Sequence, residues 1–197
     1  MGCKRQSIST NDQLQVNLQD LDETGRLHYF YHSPSSALPV RDVLNECGKG
    51  HKTEPYLEKQ AENYCQECMQ PNIRAFLQSR EKYLFLVTRC MARDSRHYGK
   101  RYIVGYLVKQ NYEFRPGHFY AVFGDISLYR FDDAFPLLPA NRNFRHHPKI
   151  LDERRTAEIL GHFDGTRSIF KNCVNELKKL RKLLREDTVR RRLQTCR

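Results

Sequence analysis

Cys47 and His51 flank Gly48-Lys49-Gly50, and Cys65-Gln66-Glu67-Cys68 follows further along the chain. Four soft or borderline donors thus arrive as two close pairs. Zn²⁺ is held by four nitrogen or sulfur ligands in a tetrahedron, and a C-x₂-C step brings two thiolates onto one ion. Glycine lets the backbone curl tightly, so Gly48 and Gly50 allow Cys47 and His51 to face the same ion. With Cys47, His51, Cys65 and Cys68 all bound, no coordination position stays open. That marks a structural centre rather than a catalytic one, and the expected cofactor is structural zinc. Two alternatives remain: an iron–sulfur cluster with Cys90 in place of His51, and cysteines that merely lie near one another.

Acid–base chemistry has fewer candidates. Thr88, Lys109 and Glu113 fall on or near predicted strands, but no distinctive motif surrounds them. Asp125, Asp132 and Asp133 could gather a metal ion for nuclease chemistry, although Asp132-Asp133 sits at a strand end, where turn or cap duty is common. His146 and His147 are adjacent, and neighbours on an extended chain point to opposite faces, so the two do not readily ligate one ion. The sequence contains no P-loop, no G-x-G-x-x-G and no G-x-S-x-G. A binding module is favoured over an enzyme.

Charge points the same way. The 197 residues carry a formal net charge of +11, which favours polyanionic partners, nucleic acid above all. Arg89, Arg93, Arg96, Lys100 and Arg101 gather around one connection, and Arg142, Arg145, His146, His147 and Lys149 around another. Phosphate binding needs several such charges on one face. From Lys171 onward ten Lys and Arg residues face three acidic ones, so much of the excess lies in the last segment.

These groups need a scaffold, and the pattern is that of an α+β protein. Residues 1–25 are polar and read as a mobile leader. Leu27–Tyr31 is a first strand, stopped by the turn cluster Ser33-Pro34-Ser35-Ser36. Pro39–Leu44 and Glu54–Tyr64 read as helical, and Pro71 opens a short amphipathic helix through Ile73, Phe76 and Leu77. Tyr83–Thr88 is continuously apolar, as a strand buried on both faces would be. Tyr102–Val108 follows, with Gly105 as a bulge or close-approach point. Pro116-Gly117 turns the chain into His118–Phe123, and Gly124-Asp125 turns it again into Ile126–Phe131. The stretch 138–149 reads as loop and Thr156–Phe163 as a short helix. A long basic C-terminal helix then starts at an N-cap, Thr166 or Ser168, with Ile169, Cys173, Leu177, Leu180 and Leu184 along one face.

The succession of His28-Tyr-Phe-Tyr-His-Ser-Pro-Ser35, Tyr83-Leu-Phe-Leu-Val87, Tyr102-Ile-Val-Gly-Tyr-Leu-Val108 and His118-Phe-Tyr-Ala-Val-Phe123 resembles the PUA-like superfamily. The EVE, YTH, ASCH and nucleotide-modification-associated branches share such a core. The resemblance spans roughly residues 27–137 and implies a small β-barrel with helices inserted after the first strand. The Cys/His pairs and the basic C-terminal helix depart from that minimal fold. The expected organisation is a leader over 1–25, a PUA-like domain over 26–165 with a zinc-binding helical insertion at about 38–80, and a basic helix over 166–197.

The resemblance further implies recognition of a modified or flipped base in a barrel pocket near the end of the first strand. A base taken out of its stack needs aromatic faces and hydrogen-bonding groups. Tyr31, His32 and Ser33 are the candidates there, with Tyr106 and Tyr120 on strands that could line the same mouth; Tyr and Phe on strands also commonly serve as core. The expected partner is DNA or RNA. A hydrolase acting on nucleotide-like or RNA substrates is one alternative. A zinc-stabilised adaptor, using the C-terminal helix to dimerise or bind another protein, is the other. The sequence has no apolar run of membrane-spanning length, and Gln6 stands where a myristoylation pattern asks for Ser or Thr, so no membrane association is expected. Reduced thiols in the cytoplasm, or the nucleus of a eukaryote, are expected.

Overall fold

The computed structural model describes residues 21–29, 61–65, 71–137 and 150–170. The elements are β1 (Asp22–Tyr29), β2 (Ala61–Cys65), α1 (Pro71–Gln78), β3 (Glu81–Arg89), β4 (Arg101–Arg115), β5 (His118–Leu128), β6 (Phe135–Leu137), β7 (Ile150–Leu151) and α2 (Glu153–Phe163). The strands form one mixed sheet in the order β2-β5-β4-β3-β1-β7, with β6 added beside the start of β4. β1 and β3 run parallel, and the remaining pairs are antiparallel. The α+β class holds. The sequence reading expects a closed barrel, whereas the strand path among the described residues begins at β2, stops at β7 and stays open.

Both faces of the sheet are buried, as the apolar run in β3 predicts. Successive strand residues point to opposite faces. Leu84 and Leu86 therefore pack with Ile73, Phe76 and Leu77 of α1, joined by Val104, Leu107, Phe119 and Phe123. Phe85 and Val87 point the other way and pack with Leu27, Tyr129 and the α2 residues Ile159 and Phe163. Each such side chain removed from water contributes about 1.5–3 kcal/mol. Arg26 and Glu81 join β1 to the start of β3 through two buried bonds, Nε to Oε2 at 2.6 Å and Nη2 to Oε1 at 2.7 Å.

Helix boundaries follow their caps. Asp152 accepts the backbone N–H of Arg155 at 2.7 Å, so α2 starts three residues before the expected Thr156. Ser168 Oγ accepts the N–H of Phe170 at 3.2 Å and that of Leu128 at 3.1 Å; the long helix expected from a cap at Thr166 or Ser168 lies, beyond Phe170, outside the described residues. Ile169 donates to Leu128 O at 2.8 Å, and Ile169 and Phe170 pack on the α1 face. The chain thus crosses from the α2 face to the α1 face beside the end of β5.

Two elements differ from the sequence reading. Residues 61–65, expected at the end of a helix, form a strand against β5, with Tyr64 opposite Phe119. Tyr64 is buried in the α1-side core while Asn63 is exposed, and this alternation on a sheet edge overrides the helical spacing. The Gly124-Asp125 step is not a hairpin turn. β5 runs through it, because Gly105, Tyr106 and Leu107 of β4 pair with Leu128, Ser127 and Ile126 on its far side. The register shifts on either side of Lys109. There Gln110 covers Gly124 so closely that a Cβ on that glycine would meet Gln110 Nε2 at 2.0 Å.

Candidate nucleic-acid interface

Arg89, the last residue of β3, stands directly opposite Arg101, the first of β4. Alternation from Val87 and Ile103 places both on the α2 face. Tyr29, the last residue of β1, pairs with Val87 and packs on that same face. Its phenol interacts with the Arg101 guanidinium. Burial pushes the Tyr29 hydroxyl above its ordinary pKa, against the pull of the Arg101 and Arg89 guanidinium groups. Both arginines are half-buried, and among the described residues neither pairs with a carboxylate. Like charges directly opposite on a β ladder repel.

The connection from 91 to 100 carries the remaining cations of this cluster. Its two ends are tied by Cys90 N–H to Lys100 O at 3.1 Å and by Gly99 N–H to Cys90 O at 2.8 Å. Gly99 adopts a left-handed φ of 76°, which glycine accommodates without a Cβ clash. Its carbonyl accepts Arg89 Nε at 3.0 Å and so fixes that guanidinium beneath the loop. His97 anchors the loop body. Nδ1 is 2.8 Å from the Tyr102 hydroxyl, Nε2 is 2.7 Å from Asp132 Oδ1, and the ring stacks on Phe131 at 5.9 Å. Arg96, largely exposed, binds the same Asp132 oxygen through Nε and Nη2. His97 and Arg96 together hold the Asp132 carboxyl below the usual carboxylate range. Arg93 and Lys100 are exposed on the same loop.

The other anticipated residues divide. Tyr106 sits among Tyr83, Phe85, Tyr129 and Phe163 on the α2 face, with centroids 6.0 to 6.4 Å away. Tyr120 is exposed near the β4–β5 turn, opposite Glu113 and Asn63. Glu113 and Tyr106 are seven β4 residues apart, on the order of 20 Å along a strand. The structure therefore does not bring Tyr106 and Tyr120 to a common mouth. Tyr31, His32, Ser33, Cys47, His51 and Cys68 lie outside the described residues, as does the second basic cluster at Arg142–Lys149. Cys65 ends β2, where its backbone pairs with His118. Among the described residues no group of three or more His, Cys, Asp and Glu is arranged to hold a metal ion.

Apart from Asp125, which is exposed on β5, the acid–base candidates are occupied structurally. Lys109 is fully buried and donates to the carbonyls of Phe76 and Ser79, both at 2.8 Å, at the end of α1. Its ammonium lies 4.4 Å from the Phe76 ring centroid and 4.7 Å from that of Tyr112. Burial lowers its pKa to about 7, with the Glu81 carboxylate opposing the shift and Arg26 adding to it. Thr88 is also buried, and Glu113 is held by Arg115 at 3.0 and 2.9 Å. Asp132 serves the loop anchor, and Asp133 N–H closes a turn onto Arg130 O at 3.0 Å. Tyr29, His97 and Asp132 are the residues the sequence reading did not single out for this interface. His97 and Asp132 stand 35 positions apart, so only the fold reveals their contact. Among the described residues no helix is long and apolar enough to cross a membrane.

Compared with known proteins, the chain matches no family model, no curated protein and no solved structure.

Proposed function

We propose that the chain binds nucleic acid through the β3–β4 connection and the strand ends beside it. The observation that carries this reading is the convergence of Arg89, Arg93, Arg96, Lys100 and Arg101 on one connection, with Arg89 and Arg101 facing each other without an acidic partner among the described residues. Cations gathered this way cost stability unless an anion neutralises them, and a phosphate backbone is the anion a protein of net charge +11 meets most readily. Tyr29 ends β1 at this cluster, so Tyr31, His32 and Ser33 follow in sequence from the grip on the backbone. They supply the planar and polar groups that reading a flipped or modified base requires.

In this reading the sheet is the core of a PUA-like domain. The parallel β1–β3 pair, with α1 on the connection between its strands, agrees with helices inserted after a first strand. Zinc on Cys47, His51, Cys65 and Cys68 pins that insertion to the β2 edge, and the protein works in the cytoplasm or nucleus. The test is a panel of single-stranded and duplex DNA and RNA, with and without base modifications, titrated at fixed salt. Binding that weakens steeply as salt rises supports the reading. Salt-insensitive or undetectable binding across the panel overturns it.

A further inference from the structure

We infer that Arg89, Arg101 and Tyr29 form a clamp for a terminal phosphate, a phosphomonoester at the end of a strand; that the strand is nucleic acid rests on the proposal above. Three adjacent strands deliver one polar group each to the same face: Tyr29 from β1, Arg89 from β3 and Arg101 from β4. The two guanidinium groups come from directly opposed positions and are half-buried, so each has lost part of its hydration. A partly desolvated charge calls for a counter-charge. Glu81, the buried acid of β3, is already bound to Arg26 near the other end of that strand. Asp132, the acid held by the neighbouring loop, is bound to His97 and Arg96.

The charge count selects the ligand. A phosphomonoester carries about −1.5 to −2 at neutral pH and three acceptor oxygens. Two guanidinium forks match such a dianion better than the single charge of a phosphodiester, and arginine favours bidentate phosphate contacts. Arg89 is pre-aimed because Gly99 O already accepts its Nε, leaving the terminal nitrogens for phosphate. Tyr29 supplies a phenol hydroxyl beside Arg101, at the end of β1. Leu137, the register partner of Arg101 on β6, sets an apolar neighbour beside the two charges on that face.

The experiment uses the full chain and one single-stranded oligonucleotide prepared with a 5′-phosphate, with a 3′-phosphate and with hydroxyls at both ends. Inorganic phosphate is titrated in parallel by thermal shift. One phosphorylated end should bind about tenfold more tightly than the hydroxyl-ended strand, the scale of one added charged hydrogen-bond set. Arg89→Gln and Arg101→Gln should each abolish that preference, Tyr29→Phe should reduce it, and Arg101→Lys should keep part of it. Inorganic phosphate should raise the melting temperature of the wild type but not of the doubly substituted chain. Equal binding of all three strands by wild type, with steep salt dependence, overturns the clamp and leaves the nucleic-acid reading standing. A phosphate-induced shift lost on substitution, with no oligonucleotide bound, supports the clamp and overturns the nucleic-acid reading.

Discussion

Arg89 and Arg101 are register partners across the β3–β4 ladder, and both side chains stand on the face that carries Tyr29 and α2. A protein optimised for stability alone would place an acid or an apolar residue at one of these positions. Opposed like charges cost up to about 1 kcal/mol on a strand pair. Arg101→Gln should therefore leave the melting temperature unchanged or raise it, while weakening polyanion binding. A thermal-melt comparison checks this. A large fall in melting temperature would show that Arg101 holds the sheet together.

Asp132 should act as a brake on binding. It shares one carboxylate oxygen between His97 and Arg96, and that bond holds the exposed Arg96 back from a phosphate. Asp132→Asn keeps an acceptor for His97, which is also held by Tyr102 and Phe131, so the loop stays anchored. Its charge is gone, and nucleic-acid affinity should rise about two- to fivefold. Anisotropy titration of the two proteins at one salt concentration decides the matter; weaker binding by the variant would mean that the carboxylate is needed to position the loop.

Lys109 makes stability depend on pH. In the unfolded chain its amine keeps the ordinary value of 10.5, and in the folded chain burial lowers it to about 7. Between those values the unfolded state holds a proton that the folded state does not, so stability rises with pH. The rise is at most about 1.4 kcal/mol per pH unit. Urea melts of wild type and Lys109→Met from pH 7 to 9.5 should diverge, wild type gaining relative to the variant. Parallel curves would show that the folded amine titrates normally.

Metal should govern the β2 edge. If zinc sits on Cys47, His51, Cys65 and Cys68, chelation acts where Cys65 ends β2 beside His118. Hydrogen exchange should then speed up at the 61–65 amides and leave the β3–β4 ladder protected. Elemental analysis of protein purified without added zinc should find about one ion per chain. Metal content and melting temperature unchanged in Cys65→Ser would refute the centre.

The sequence was most readable where one residue type dictates its own surroundings. The apolar run Tyr83–Thr88 reads as a strand covered on both sides, and α1 and α2 cover it. Gly105 marked a close approach, and a Cβ there would lie 2.1 Å from Ser127 O. What escaped depends on partners far along the chain. Strand β2 has little apolar pattern of its own and takes its form from β5. Lys109 reads as a polar strand residue until the α1 carbonyls 33 and 30 positions away are seen around it. The basic loop was visible as composition, but its anchor through His97 and Asp132 is a tertiary contact with no local signature.

The salt dependence of binding to a single-stranded oligonucleotide is the most direct measurement, made on wild type and on the Arg89→Gln, Arg101→Gln double variant. The plot of log affinity against log salt should be steep for wild type and shallower by about 1.4 for the variant, two phosphate charges being no longer neutralised. Identical slopes, or no binding by the wild type at low salt, would contradict the assignment of this strand-end cluster to nucleic acid.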